Sequence, residues 1–240
     1  MKFITLTNLL IAVNVLAYGW QTATGGLSRD HGYLTPQSVL QYGEWWRIFT
    51  AAFLHVNEAH IGLNMLALYS LGREVEWIFG KVRFALIYVV AIAGSGLAVI
   101  YFADYRTSTL GASGAIYGLF GAILAVGVRL GKPGRAVIMS VVPVLVLNLA
   151  FTFTIPGISA PGHVGGLITG FLATLVIFMG ARQRERAYAF AMTLAPAGPT
   201  APAVTTVEPD PDVETIEHPP DAGPHEEADA PPLHVRDPRE

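Results

Sequence analysis

Residues 108–124 read STLGASGAIYGLFGAIL, polar at the start and continuously apolar by the end. A glycine-rich turn lies between, and Ser113 stands at the border, with Gly111 two before it and Gly114 directly after. The apolar part continues to Leu130, long enough to enter a bilayer as a helix. A hydroxyl placed there is explained only by what else reaches the same depth.

The rest of the chain has the same character. Of 240 residues, 52% are hydrophobic and only 14% are charged, and mean hydropathy is +0.46. Soluble domains carry about 25% charged residues, so the reading is an integral membrane protein. With no cysteine, disulfides, thiol nucleophiles and thiolate metal sites are excluded. Nothing in the charge pattern points to nucleic acid. Residues 1–195 hold 13 Lys/Arg against 7 Asp/Glu, whereas residues 196–240 hold 2 against 11, together with 11 of the 16 prolines. Such a tail buries too little apolar surface to offset its ordering entropy. The expected organisation is a membrane domain over residues 1–187 and an acidic, proline-rich disordered tail over residues 188–240.

Six runs approach the roughly 20 apolar residues that a span needs: 3–20, 52–71, 84–103, 113–130, 137–155 and 163–180. The fold class is therefore all-α, a polytopic six-helix bundle. The first run, headed by Lys2, also resembles a signal peptide. Against that, Asn8 and Asn14 interrupt it, and Tyr18-Gly19-Trp20 is a poor cleavage site. Basic residues fix the orientation. Lys2, Arg73, Lys81, Arg83, Arg129, Lys132, Arg135, Arg182, Arg184 and Arg186 fall on the side of the termini, against Arg29, Arg47 and Arg106 on the other. Both termini are expected in the cytoplasm, with Ser113 near the outer face.

Two more spans bring polar groups to that level. The sixth begins PGHVGGLITGF, with His163, Gly166 and Gly170 on one helical face. Glycines allow a neighbouring helix to approach closely, and the fourth span supplies Gly114, Gly118 and Gly121. If these faces meet, His163 reaches Ser113. A serine is a weak nucleophile at neutral pH unless a hydrogen-bonded base takes its proton. In the second span His60 and Asn64 share a face four residues apart, suited to donating hydrogen bonds to an oxyanion together with the Ser113 N–H. Taken singly, Ser113 reads as a helix cap or packing residue, His163 as an interfacial histidine, and His60 with Asn64 as interhelical glue. Three groups at one depth favour catalysis. No third member is evident, so the expectation is a Ser–His dyad. His55 and His60 lack the spacing of a metalloprotease helix, and no metal is expected.

These motifs resemble those of the rhomboid intramembrane serine proteases. GASG at 111–114 matches the family's Gly-x-Ser-Gly, and HVGGLITG its His-x-x-Gly-x-x-x-Gly on His163, Gly166 and Gly170. HIGLN matches His-x-x-x-Asn on His60 and Asn64, and Trp46-Arg47 the Trp-Arg pair of the first outer loop. Tyr117 matches an aromatic that packs near the histidine, and Glu76 stands in the place of a structural acid. The resemblance covers residues 44–180. It implies a serine endopeptidase that cleaves transmembrane substrates near their outer end through an acyl-enzyme, without a cofactor. Ser113 and His163 would be catalytic, His60 and Asn64 would form the oxyanion hole, and Tyr117, Gly111, Gly166 and Gly170 would support them. The first outer loop would lie partly in the membrane interface, and the fifth span would gate substrate entry. The compact form implies a bacterial plasma membrane, and oligomeric state is left open. Pro161-Gly162 before His163 departs from the usual small residues, and the tail matches no motif. The alternatives are a rhomboid-like client-binding protein without catalysis and a small transporter. The dyad argues against the first, and the lack of internal repeats against the second.

Overall fold

The computed structural model describes residues 5–27, 32–177 and 179–195. Lys2, Arg29, Asp30 and residues 196–240 lie outside them, as does nearly all of the expected tail. The described residues are helical: α1 (Leu6–Ala23), α2 (Pro36–Leu40), α3 (Arg47–Thr50), α4 (Glu58–Phe79), α5 (Lys81–Phe102), α6 (Ser113–Leu130), α7 (Arg135–Thr154), α8 (Ala160–Val176) and α9 (Ala181–Leu194), with a 3-10 turn over Ala51–Phe53. By length and composition α5, α6 and α7 can each cross a membrane, and α8 is a shorter apolar helix.

Several boundaries differ from the hydropathy reading. The second apolar run was placed at 52–71, but α4 starts six residues later, at Glu58. Leu54 is extended, and the Asn57 side chain caps α4 by accepting the His60 N–H. The first residues of that run, Ala52 and Phe53, belong instead to the 3-10 turn before the helix. At the other end α8 stops at Val176 and Ile177 is extended, short of the expected residue 180. The boundary expected after residue 187 falls inside α9, which runs on to Leu194. This segment is rich in Ala and Arg, both strong helix formers, and it buries Ala187 and Ala191 one turn apart. Arg186 donates to the Trp77 carbonyl of α4 at 2.6 Å.

Helix α6 is the centre, with fourteen of its eighteen residues buried. Gly114, Gly118 and Gly121 face α8 and α5. A Cβ on Gly166 would collide with the Gly114 carbonyl, one on Gly170 with the Gly118 carbonyl, and one on Gly121 with the Leu167 carbonyl. Two helices can bring their backbones this close only where side chains are missing. Helix α7 is peripheral. Val137, Val141, Leu145 and Thr152 are its only buried residues.

Two polar anchors position the outer loop and the first helix. Arg47 is 4% exposed, pairs with Glu44 at 2.8 Å, donates to the Tyr33 carbonyl at 3.1 Å and lies over the Trp46 ring. It is a brace within the first loop. An antiparallel bridge between Leu34 and Thr109 then ties that loop to the segment leading into Ser113. On α4, the Glu76 carboxylate accepts the Leu6 and Thr7 N–H groups, each at 2.8 Å, and the Thr7 hydroxyl at 2.7 Å. A carboxylate against the unpaired N–H groups and positive dipole end of α1 is favourable on both counts.

Candidate active site

The turn before α6 is set by Gly111. Its φ of +120° is open only to glycine, and its N–H donates to the Ala51 carbonyl at 2.8 Å. Ala112 occupies the N-cap position and makes no side-chain cap. Ser113 is thus the first residue of the helix, and its side chain does not serve as a cap. The first N–H groups of a helix have no partner within it, so the serine stands among donors suited to negative charge.

Helix α8 starts three residues before His163. Ser159 caps it by accepting the Gly162 N–H at 3.2 Å, and Pro161 falls in the first turn, where the lack of an N–H costs nothing. The unusual Pro161-Gly162 pair is therefore compatible with an ordinary helix start. The α6–α8 seam brings His163 Nε2 to 2.8 Å from Ser113 Oγ. The Tyr117 ring stacks on the imidazole with centroids 4.1 Å apart and planes at 15°.

His60 and Asn64 border the same cavity. A Cβ on Gly111 would lie 2.9 Å from His60 Nε2 and 3.7 Å from Ser113 Oγ, so the His60 ring and the serine flank one glycine. His60 Nδ1 accepts the Val56 N–H at 3.4 Å, which leaves the ring proton on Nε2, the nitrogen beside Gly111. Asn64 commits one amide hydrogen to the His60 carbonyl at 3.0 Å. The His55 ring lies edge-on to His60 at 5.1 Å. It is fully buried, and among the described residues neither of its ring nitrogens has a partner.

One neighbour escaped the sequence reading. Thr152 Oγ1, near the outer end of α7, is 2.8 Å from His163 Nδ1 and 2.8 Å from the Tyr117 hydroxyl. The only signal was a polar residue at the outer end of the fifth apolar run, at the depth of Ser113. Threonine is common enough in apolar helices that this signal carries little weight. The cavity lined by Ser113, His163, His60, Asn64, Tyr117 and Thr152 has a volume of about 1330 Å³ and continues along α4 and α7 to Arg73, Glu74 and Phe190.

An all-helical bundle with several membrane-length helices defines a polytopic membrane protein, and the wall of its large cavity carries a serine hydrogen-bonded to a histidine. Residues 42–180 match the rhomboid domain model, and the chain belongs to the rhomboid family. It is 36% identical over 178 residues to the rhomboid protease GluP of Bacillus subtilis, covering 72% of this chain and 35% of that protein. It is 32% identical to the mitochondrial RHOMBOID-like protein 6 of Arabidopsis thaliana, over 62% of this chain and 48% of that one. With the rhomboid protease AarA of Providencia stuartii it shares 28% identity, over 73% of both chains. The chain thus spans about a third to a half of the first two relatives.

Proposed function

We propose that this protein is an intramembrane serine endopeptidase that hydrolyses a peptide bond in or near the outer end of a substrate's transmembrane segment. The observation that carries the reading is the 2.8 Å contact between Ser113 Oγ and His163 Nε2 at the wall of the cavity. In this reading α1, α4, α5, α6, α7 and α8 cross a bacterial plasma membrane with both termini cytoplasmic, and Ser113 faces the outer side. The excess of basic residues on the side of the termini supports that orientation.

Ser113 attacks the scissile carbonyl while His163 takes its proton. The developing oxyanion is met by the Ser113 N–H at the start of α6, by His60 Nε2–H and by the second amide hydrogen of Asn64. His163 returns the proton to the leaving amine, which yields an acyl-enzyme on Ser113. Water entering from the cavity loses a proton to His163 and releases the acid. Every group this chemistry calls for is a side chain or backbone N–H of the protein, so the reaction as written takes no cofactor.

The test is to incubate detergent-purified protein with a fluorophosphonate probe and, separately, with a transmembrane peptide substrate, beside Ser113→Ala and His163→Ala. Labelling and cleavage by the wild type alone support the dyad. A folded wild type that neither labels nor cleaves would mark the protein as a membrane client-binding scaffold.

A further inference from the structure

We propose that Thr152 is a positioning residue that fixes the tautomer of His163, so that a neutral hydroxyl on α7 does the work that a carboxylate does in a catalytic triad. The inference rests on the protease reading for its functional meaning, but its geometry stands separately.

The argument is a count of protons. Thr152 Oγ1 has three neighbours at 2.8 Å: the Asn148 carbonyl oxygen, the Tyr117 hydroxyl and His163 Nδ1. A hydroxyl offers one hydrogen and two acceptor sites. The Asn148 carbonyl brings no hydrogen, so the proton between those two oxygens is the one from Thr152. Tyr117 must then donate its own hydrogen to Thr152, and the contact to His163 must carry a hydrogen on Nδ1. With Nδ1 protonated, Nε2 of the neutral ring is a bare lone pair, and it is the nitrogen 2.8 Å from Ser113 Oγ. For the neutral ring, the only assignment that satisfies all four contacts therefore makes His163 an acceptor toward the serine. The opposite tautomer would place a ring hydrogen against the serine and a lone pair against an oxygen that has no hydrogen left to give.

Burial makes the count decisive. Thr152 is 3% exposed, Tyr117 4% and His163 9%, and unmet polar groups at such positions are costly. When His163 takes the serine proton, its Nδ1–H stays on Thr152, whose own hydrogen lies toward the Asn148 carbonyl. The dipoles along this chain are aligned to stabilise the imidazolium, though less than a carboxylate would. The Tyr117 ring stacked on the imidazole fixes its plane, while Thr152 fixes which nitrogen holds the proton. The proton order on the base is thus set by a helix that carries neither member of the dyad.

The test uses full-length protein in detergent with ¹⁵N-labelled histidine, and compares wild type, Thr152→Val and Thr152→Ser. The ring ¹⁵N shifts of His163, assigned by comparison with His163→Ala, report the tautomer without any turnover. Wild type is expected as the Nδ1–H form. Thr152→Val is close to isosteric and should lose that bias, with kcat on transmembrane peptide about 10- to 100-fold lower and KM within about threefold, short of the 10²–10⁴-fold that a positioned base supplies in full. Thr152→Ser keeps the hydroxyl and should restore both tautomer and rate, which a packing role for the methyl group would not. An Nδ1–H tautomer and wild-type kcat in Thr152→Val would overturn the proposal, as would an Nε2–H wild type. Cleavage that survives Ser113→Ala would instead overturn the protease reading and leave the tautomer measurement standing.

Discussion

Helix α6 buries fourteen of its eighteen residues and presses its glycines against α8, whereas α7 buries four of twenty and turns Val146, Leu147 and Phe153 outward. Both helices reach the same imidazole. The first delivers Ser113 through a seam in which backbone meets backbone. The second delivers Thr152 from the end of a narrow stripe of contact. Packed interiors do not deform continuously, so the seam holds Ser113 and His163 at a fixed distance. A helix held along one stripe has fewer contacts to lose when it shifts. The site therefore joins a rigid pair to a partner on the least buttressed of the helices around it.

The largest effect should come from the dyad itself. Ser113→Ala or His163→Ala should lower cleavage of a transmembrane peptide by about 10⁴-fold or more, with thermal unfolding close to wild type. Next comes the seam. Gly166→Val places side-chain atoms on the Gly114 carbonyl, and backbone cannot move aside as a flexible side chain can. A loss of about 4 kcal/mol or more is expected, read by unfolding in detergent, with activity lost alongside. A fully active Gly166→Val would show that α6 and α8 need not be in backbone contact.

A smaller effect is expected at the oxyanion. Asn64→Ala removes one donor among several, so kcat should fall by at most about 10²–10³-fold while probe labelling of Ser113 persists. The smallest pair tests the contrast between the two helices directly. Leu119 on α6 is fully buried and Leu147 on α7 is 54% exposed. Leu119→Ala should cost about 2 kcal/mol or more through the cavity it leaves, and Leu147→Ala under about 0.5 kcal/mol. Equal costs would mean that α7 is covered by a further partner.

Much of this site could be read before any fold was known, because its chemistry needs rare residue types in fixed positions. Ser113 between Gly111 and Gly114, and His163 ahead of Gly166 and Gly170, offer two glycine faces that would bring the pair together if they met. His60 and Asn64 share a face by spacing alone. Helix ends were less legible. The start of α4 depends on the Asn57 cap more than on apolar content, and α9 continues to Leu194, past the boundary expected at residue 187.

By itself the sequence determined the membrane class, the all-helical architecture and the two glycine-lined helix faces. These follow from composition and from period, which are properties of neighbouring residues. Only the tertiary structure decided that Thr152 reaches His163 Nδ1, that Glu76 caps α1, and that Arg47 is a buried brace. Each of these is a hydrogen bond made in or onto another segment, and its partner depends on which helix faces which. A threonine in an apolar helix looks the same whether it faces lipid or a catalytic base. Packing selects between the two, because only the buried face leaves its hydroxyl with protons to account for.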